Sequence, residues 1–399
     1  MSIAQFTDLV QNTTSVAINS GTKLRNQINR HGYALDYMLR GAEGFKSLQG
    51  GKDIRFDSLF KEVSTYRTYK PGEKQTWSNP QVTTTSSTPW RFSMDEMTYD
   101  MAEVLLQSNE MSSDRKAMYY VDTQSKVEMS SVISMAHGLE DELFALPDHA
   151  EMEEASGQTP NSLNVFCNEM PDGLYTSYRT ADSKVLTIDT TLHPTWDNQR
   201  SAYNSVGLHT GTAPHLFSAF DDILQDLSFS QVPGPDGKMI SESGNALGMK
   251  ACFTQKAGVT NFQQALRVNQ DYYRVGASQD AAYPHPVFNG IPIIRIDQLE
   301  TNAIYPTVGT AAPGLETTYG VYSSTANTAA TNAGPRYHFI DFTCTQKAVH
   351  EARYFHKGAL KEPSNQVDVK IQPVLLYHNN ITQERRKCGI VYPSADIPA

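Results

Sequence analysis

The longest regular pattern in the sequence is a helical repeat of apolar residues between Ser113 and Leu146. Ser112 or Ser113 can cap its first turn, and Pro147 cannot continue its last one. At 1.5 Å per residue, the predicted helix is roughly 50 Å long, more than the diameter of a small domain. Its apolar positions recur at the spacing of one helix face: Met118, Val121, Met129, Val132, Ile133, Ala136, Leu139 and Leu143.

The composition of the 399 residues excludes several classes of protein. Hydrophobic side chains make up 39% and charged ones 19%, which is typical of a folded chain rather than a disordered or membrane protein. The formal net charge of −10 argues against a conventional nucleic-acid binder, whose affinity comes from neutralising phosphates. The N-terminus lacks the basic and apolar layout of a signal peptide. We expect reduced, mostly buried thiols because the four cysteines are widely scattered: Cys167, Cys252, Cys344 and Cys388.

The first hundred residues contain a polar segment and then a predicted β-hairpin. Residues 1–53 have few apolar groups, so we expect an arm that packs on something else. Residues 54–97 contain two strand-favouring stretches separated by a turn signal at Lys70-Pro71-Gly72-Glu73. Both faces of this hairpin are largely polar, and a two-stranded ribbon of that kind is marginal by itself in water. It either lies on a neighbouring molecule or folds back on its own domain, and the pattern favours neither.

The remaining segments predict a mixed α and β chain. We expect short strands at Asn161–Phe166 and Lys184–Ile188 and helices at Leu216–Leu227 and Phe262–Val268. Residues 287–297 are apolar and β-branched, and residues 337–399 alternate as antiparallel strands do. Between them, residues 301–336 are low in charge and rich in small residues, which indicates an irregular insertion.

The sequence contains one acidic and one basic cluster, and each can be explained by structure alone. An acidic run that includes Glu140, Asp141 and Glu142 follows at the helix C-terminus, where negative charge opposes the helix dipole. It is either a solvated face or a surface for a basic partner. The basic run at residues 385–387 is interpreted as a salt-bridge site at the end of a strand.

The sequence contains none of the short motifs of nucleotide-binding loops, zinc proteases or α/β-hydrolases. His350 and His356 could share a strand face, but two histidines without nearby carboxylates or thiols are a weak metal signal. His149 lies among glutamates, which favours a solvated acidic loop. We therefore predict no catalytic, cofactor-binding or metal-binding residues.

The order of these segments resembles the major capsid protein of tailed bacteriophages, which has the Hong Kong 97-type fold. Three stretches carry the resemblance. The first is the hairpin around Lys70-Pro71-Gly72, which leads through Trp90–Met97 to the long helix. The second is the strand Phe288–Asp297, where a glycine precedes an apolar-proline-apolar step. The third is Tyr337–Phe342 together with the strands that close the chain.

The resemblance implies an α+β Hong Kong 97-type fold with a definite division of the chain. Its parts would be an N-terminal arm (1–53), an extended β-hairpin loop (54–97), a peripheral domain with a long spine helix (98–154), a central axial α/β domain (155–286), return strands of the peripheral domain (287–300 and 337–399) and an insertion loop (301–336). Subunit contacts would come from residues near the hairpin tip: Tyr66, Arg67, Tyr69, Lys70, Pro71, Gly72, Lys74 and Trp77.

The resemblance also implies a function. Such a protein is not an enzyme; its copies form pentamers and hexamers of an icosahedral shell that encloses the double-stranded DNA of a tailed phage without sequence-specific binding. It would need no cofactor and no membrane, would assemble in the host cytoplasm and would end in the virion. A portal and a decoration protein are further partners. Because the sequence begins with Met1, we also expect a separate scaffold protein. No lysine–asparagine crosslinking pair is assigned.

Two other functions remain open from the sequence. A cellular nanocompartment uses the same fold to enclose a cargo enzyme, and a neighbouring cargo gene would favour it. A cytosolic α+β enzyme with an unrecognised site is the second alternative, and tight metal binding at His350 and His356 would support it.

Overall fold

A computed structural model of the chain describes part of its length. The described residues are 33–40, 45–60, 70–72, 74, 83–100, 113–145, 152, 157–167, 184–190, 192–206, 214–227, 250–268, 286–296, 299, 335–363 and 369–393. They form a mixed α and β structure. The helices are α1 Tyr33–Arg40, α2 Ser113–Leu143, α3 Leu163–Phe166, α4 Leu216–Leu227 and α5 Lys256–Val268.

Fifteen strands occur in the described ranges. The first seven are β1 Phe45–Leu48, β2 Asp53–Leu59, β3 Thr83–Pro89, β4 Arg91–Asp100, β5 Lys184–Val185, β6 Ile188–Asp189 and β7 Gln199–Tyr203. The others are β8 Lys250–Thr254, β9 Val287–Phe288, β10 Ile291–Arg295, β11 Tyr337–Asp341, β12 Thr345–His350, β13 His356–Lys357, β14 Val369–Thr382 and β15 Gly389–Pro393.

The long helix predicted from Ser113 is confirmed as α2, which ends at Leu143. The Asn164 side-chain amide donates hydrogen bonds to the carbonyl oxygens of Phe144 (3.1 Å) and Ala145 (3.2 Å), the two residues that directly follow the helix. Leu139 and Leu143 of the predicted apolar stripe are buried, as is Met135. Val132 was assigned to the same stripe, but 62% of its surface is exposed.

The chain divides into two compact units. The first consists of residues 1–31, 94–137 and 355–375, and the second of residues 32–93, 138–354 and 376–399. In the first unit, β13 pairs with β14 in antiparallel register, with His356 opposite Leu375 and Lys357 opposite Val374.

The second unit contains a six-stranded sheet in the order β7-β15-β11-β8-β10-β9. Helix α4 packs on it through apolar residues three and four apart, and α5 joins the same core. Phe220 of α4 is fully buried and meets Phe262 of α5 and Phe339 of β11 at ring-centroid distances of 5.7 and 5.2 Å. The predicted helix at residues 216–227 is therefore confirmed.

Four strands of this sheet, β9, β10, β11 and β15, come from segments that the sequence assigns to the return strands. The division expected from the sequence placed 287–300 and 337–399 in the peripheral domain. Here β10 lies parallel to β8, β11 lies antiparallel to β8, and β15 lies parallel to β7, so these segments share a sheet with strands from the predicted axial region. The exact domain boundaries stay a prediction.

The strand predicted at residues 161–166 is wrong. Residues 163–166 form α3, and all four are buried. A short apolar run fits a buried strand and a buried helical turn equally well, so periodicity cannot separate them. The stretch predicted as a strand at Lys184–Ile188 is a tight two-stranded ribbon whose turn has positive φ at Leu186 and Thr187.

Gly389 allows α4 to approach β15 closely. A Cβ atom at this position would lie 2.8 Å from Cδ1 of Ile223 and 3.3 Å from Cδ1 of Leu227. We expect Gly389→Ala to lower the free energy of unfolding by about 1–3 kcal/mol, because the helix must shift. Gly138→Ala is the control: nothing lies within 4 Å of the added methyl group, so the higher helix propensity of alanine should stabilise the fold by about 0.5–1 kcal/mol. Urea denaturation of both variants tests this, and equal effects would contradict it.

Candidate subunit-contact surfaces and a buried polar centre

The predicted hairpin is formed by β2 and β3, which pair antiparallel from Asp53 opposite Pro89 to Leu59 opposite Thr83. One face of its base packs on the same unit. Ile54 is buried in a cluster with Trp90, Ala348 and Ile381. The sequence left open whether the hairpin lies on a neighbouring molecule or folds back on its own domain. The described strands fold back on their own domain.

Hydrogen bonds also hold the base of the hairpin to the rest of the second unit. Asn379 of β14 donates from its side-chain amide to the Thr88 hydroxyl (3.0 Å) and to the Pro89 carbonyl (2.8 Å). Asn161 donates to the same hydroxyl at 3.1 Å, and Asn380 donates to the Asn161 carbonyl at 2.5 Å. All three asparagines are buried. This network fixes where the hairpin leaves the body of the protein.

The turn predicted at Lys70-Pro71-Gly72-Glu73 is confirmed for its described residues. Pro71 and Gly72 form it, and Gly72 has φ +87°, which glycine adopts without strain at the third position of a type II turn. Lys70, Pro71, Gly72 and Lys74 are all exposed. The other predicted contact residues, Tyr66, Arg67, Tyr69 and Trp77, lie outside the described residues. The contact role of the tip stays a prediction.

An apolar groove lies in the first unit, beside α2. Its volume is about 580 Å³, and its wall includes Met97, Ile133, Met135 and Val374, with Val132 exposed in it. Solvent-exposed apolar surface that is concentrated in one place often marks a site of association. No local sequence pattern reveals this groove, because its lining comes from four segments that are separate in the chain: Met97, residues 128–135, residues 355–357 and Val374.

The rim of this groove is charged. Glu128 of α2 forms an ion pair with Lys357 of β13 at 3.1 Å. Nearby, the Ser131 hydroxyl donates to Asp95 of β4 at 2.7 Å. An apolar floor bordered by polar groups is the usual anatomy of a protein–protein contact.

A glutamate at the acidic end of α2 forms hydrogen bonds inside the second unit. Glu140 is fully buried, and its two carboxylate oxygens accept hydrogen bonds from the backbone N–H groups of Ala34 (3.0 Å) and Leu35 (2.9 Å). These are N-terminal N–H groups of α1, which have no partner within that helix. Neither interpretation of the acidic run, a solvated face or a partner surface, applies to Glu140.

A chain of hydrogen bonds continues from this carboxylate region through buried residues. Lys347 Nζ lies 3.2 Å from His378 Nδ1, and His378 Nε2 lies 2.8 Å from the Ser93 hydroxyl. That hydroxyl donates to Glu142 at 3.1 Å. Since an ammonium group only donates, Nδ1 accepts and the ring hydrogen sits on Nε2, where it donates to Ser93. Lys347 and His378 are both fully buried.

Burial governs the titration of these groups. It raises the pKa of Glu140 to about 7, although the bonds from Ala34 and Leu35 and the charge of Lys347 lower it. It raises the pKa of Glu142, which Lys347 and Ser93 lower. It lowers the pKa of Lys347 to about 8, against the raising effect of the two carboxylates. It also lowers the pKa of His378 well below its usual value, an effect that Lys347 reinforces.

Ser93, His378 and Glu142 have the residue types of a hydrolase triad, but their hydrogen bonds run the other way. A nucleophilic serine must donate its proton to histidine. Here His378 donates to Ser93 because Lys347 occupies its other ring nitrogen. The arrangement therefore holds strands and a helix together and does not activate the serine.

The basic run near the C-terminus is also structural, as predicted. Arg385 is fully buried; its Nε donates to the Phe166 carbonyl at 3.2 Å, and its guanidinium donates to Asn198 at 3.1 Å. Lys387 forms an ion pair with Glu384 at 2.7 Å. These contacts confirm the salt-bridge interpretation.

The histidines that could have bound a metal have other contacts. His350 Nδ1 accepts from the Ala352 N–H at 3.2 Å, and the ring packs edge-on against Trp90 at 5.6 Å. His356 is exposed, and His149 lies outside the described residues. In the described ranges, no three His, Cys, Asp or Glu residues are grouped as metal ligands. Nor does any helix there have the length and apolar character to cross a membrane.

Comparison with known proteins gives the fold. No protein-family profile and no curated protein matches the sequence. Among solved structures, a chain from the capsid asymmetric unit of cyanophage A-1(L) matches with a TM-score of 0.50 and 9% identity, over 96% of this chain and 98% of that one. The mature capsid of bacteriophage PhiM1 matches with a TM-score of 0.46 and 13% identity, over 96% of this chain and 93% of that one. An encapsulin complex from Synechococcus elongatus matches with a TM-score of 0.47 and 8% identity, over 98% and 95%.

The match to the cyanophage A-1(L) chain covers both proteins almost from end to end. At 9% identity it shows the fold and no more. That fold is the capsid fold of the Hong Kong 97 type, so the fold class predicted from the sequence is confirmed.

Proposed function

We propose that this chain is the major capsid protein of a tailed phage, and that its copies form an icosahedral shell around double-stranded DNA. The observation that carries the proposal is the fold match to a phage capsid chain over 96% of this chain and 98% of the other.

The described surfaces support association between copies. The exposed hairpin tip around Gly72 and the apolar groove beside α2 lie in different units. Two separate surfaces of this kind suit a subunit that contacts several neighbours, as in the pentamers and hexamers of a closed shell. The net charge of −10 suits a shell that encloses DNA without binding it tightly. A scaffold protein, a portal and a decoration protein remain proposed partners, with assembly in the host cytoplasm and the virion as the final location.

Electron microscopy of the purified full chain tests the proposal. We expect closed particles tens of nanometres across, formed by the protein alone or after co-expression with a scaffold protein. Size-exclusion chromatography would place the assembled protein in the void volume. A subunit that stays monomeric under every assembly condition would contradict the proposed function.

Deleting the hairpin tip, residues 70–73, should weaken assembly without unfolding the subunit. Lys70, Pro71 and Gly72 are exposed, and the base of the hairpin is held separately by Asn379 and Asn161, so the circular dichroism spectrum should stay unchanged. We expect particle yield to fall at least tenfold at the protein concentration at which the unaltered chain assembles. Particles that form as readily without the tip would exclude its role in subunit contact.

A further inference from the structure

One face of α2 supplies a large part of the wall of the apolar groove. Glu128, Ser131, Val132 and Met135 are three or four positions apart on this helix, and all four line the groove. Val132 is exposed over 62% of its surface, although burying a side chain of this kind is favourable. This face of α2 therefore presents an apolar side chain to solvent at the wall of a concave apolar surface.

The rest of the wall includes residues held by strand pairing. Lys357 of β13 and Val374 of β14 are directly opposite each other in the antiparallel pair, and both line the groove. Phe355, two residues before Lys357, also lines it and has φ +46°. A bulky side chain rarely adopts this left-handed backbone, and such strain is concentrated at sites that bind or move. The shape of this wall is thus fixed against local backbone preference.

The rim of the groove carries an acid and a base that come from different parts of the wall. Oε2 of Glu128 lies 3.1 Å from Nζ of Lys357, and the two side chains are still 33% and 50% exposed. An ion pair that is so exposed contributes little to stability by itself. A second copy of the chain, turned by 180°, could bring its own lysine to this glutamate and its own glutamate to this lysine. The charged rim is therefore complementary to itself, which a two-fold contact requires.

We propose that the groove is an isologous contact, covered by the same groove of a second copy of this chain across a two-fold axis that passes near Val132. The α2 helices of the two copies would pack against each other at the usual interaxial distance of about 8–10 Å. Each Val132 would then be buried in the apolar wall of the other copy. Glu128, Lys357, the partner's Glu128 and the partner's Lys357 would form one network of alternating charge, which is stronger than an isolated pair.

This inference rests on the proposed function and makes it more specific. The pentamers and hexamers of a shell are rings, and rings are built from heterologous contacts between two different surfaces of the subunit. An icosahedral shell also has two-fold axes, and an isologous contact uses one surface twice. The groove would therefore join a subunit of one ring to a subunit of the next ring.

Val132→Cys tests the position of the two-fold axis. A residue near such an axis lies beside its own copy, so mild oxidation should link position 132 of one copy to position 132 of the other. A disulfide needs Cα atoms within about 7 Å of each other, and the four native cysteines are buried and do not compete. Electrophoresis and peptide mapping without reductant should show covalent dimers. Ser134→Cys is the control, because Ser134 is exposed on α2 outside the groove and should give no dimer.

Charge reversal tests the two-fold relation without a cross-link. Glu128→Lys leaves two lysines on each rim, and Lys357→Glu leaves two glutamates, so each variant alone meets like charge in its own copies. We expect particle yield to fall at least tenfold for each variant and to recover several-fold in an equal mixture of the two, where opposite charges can meet. The double variant Glu128→Lys with Lys357→Glu should assemble by itself. Circular dichroism checks that every variant is folded.

Two results would overturn the inference: a Val132→Cys variant that assembles but gives no more covalent dimer than Ser134→Cys, and a charge-reversed mixture that assembles no better than its components. The first result would also be found if a different surface, such as the hairpin tip of a neighbour, covered the groove. Particles of the unaltered chain combined with either result would exclude this inference alone. A chain that forms the link at position 132 but never assembles beyond a dimer would exclude the proposed function alone.

Discussion

Lys347→Met should lower the free energy of unfolding by about 3–5 kcal/mol at pH 8, the usual cost of removing one partner from a buried charge group. Lys347 is fully buried and is the cation that faces Glu140 and Glu142. Without it, two neighbouring carboxyl groups remain in a site that disfavours their charge. Urea denaturation followed by circular dichroism measures the loss.

The loss should be smaller at pH 5. The folded pKa of Glu140, about 7, is above its ordinary value of 4.5, so folding takes up a proton between those values and the stability from Glu140 falls as pH rises through that window. Lys347 lowers the pKa of both Glu140 and Glu142, so its removal extends the window upward. At pH 5 Glu140 is protonated, so the two carboxyl groups repel each other little.

The matched control is the double variant Lys347→Met with Glu142→Gln, which removes one of the two charges left behind. It should recover part of the lost stability at pH 8 and little at pH 5. An equal loss at both pH values in the single variant would mean that the hydrogen bond from Lys347 to His378 matters and the charge beside the carboxylates does not.

Val132→Asp should abolish particle formation while leaving the subunit folded. Val132 lies in the apolar groove beside α2, and 62% of its surface is exposed in the single subunit. A carboxylate there costs little in the free chain, because exposed substitutions usually change stability by less than about 0.5 kcal/mol. In an assembled shell the same carboxylate would be buried against a neighbour without a partner, which is far more costly.

Ser134→Asp is the matched control for Val132→Asp. Ser134 is exposed on the same helix, and its side chain does not line the groove. Both variants add one negative charge to α2, so a difference between them reports on the groove and not on net charge. Electron microscopy and sedimentation at equal protein concentration measure assembly. If Val132→Asp assembled as well as Ser134→Asp, the groove would not be a contact between subunits.

Local patterns predicted several elements because the causes of those elements are themselves local. The apolar repeat in α2, the helix Leu216–Leu227 and the turn at Pro71-Gly72 follow from side-chain period and backbone preference. The short apolar run at 161–166 was misassigned because length and period do not distinguish a buried strand from a buried helical turn. The order of the elements was enough to predict the fold class.

What the sequence by itself determined about this protein is therefore its set of long elements, the order of those elements and the absence of the short catalytic motifs. Only the tertiary structure decided what the isolated charges do. Glu140 meets the N-terminus of α1 from over a hundred positions away, and Lys347 reaches His378 across two paired strands. The physical reason is that local periodicity records which face of an element is buried, whereas the partner of a buried polar group is set by contacts between segments that are distant in the chain.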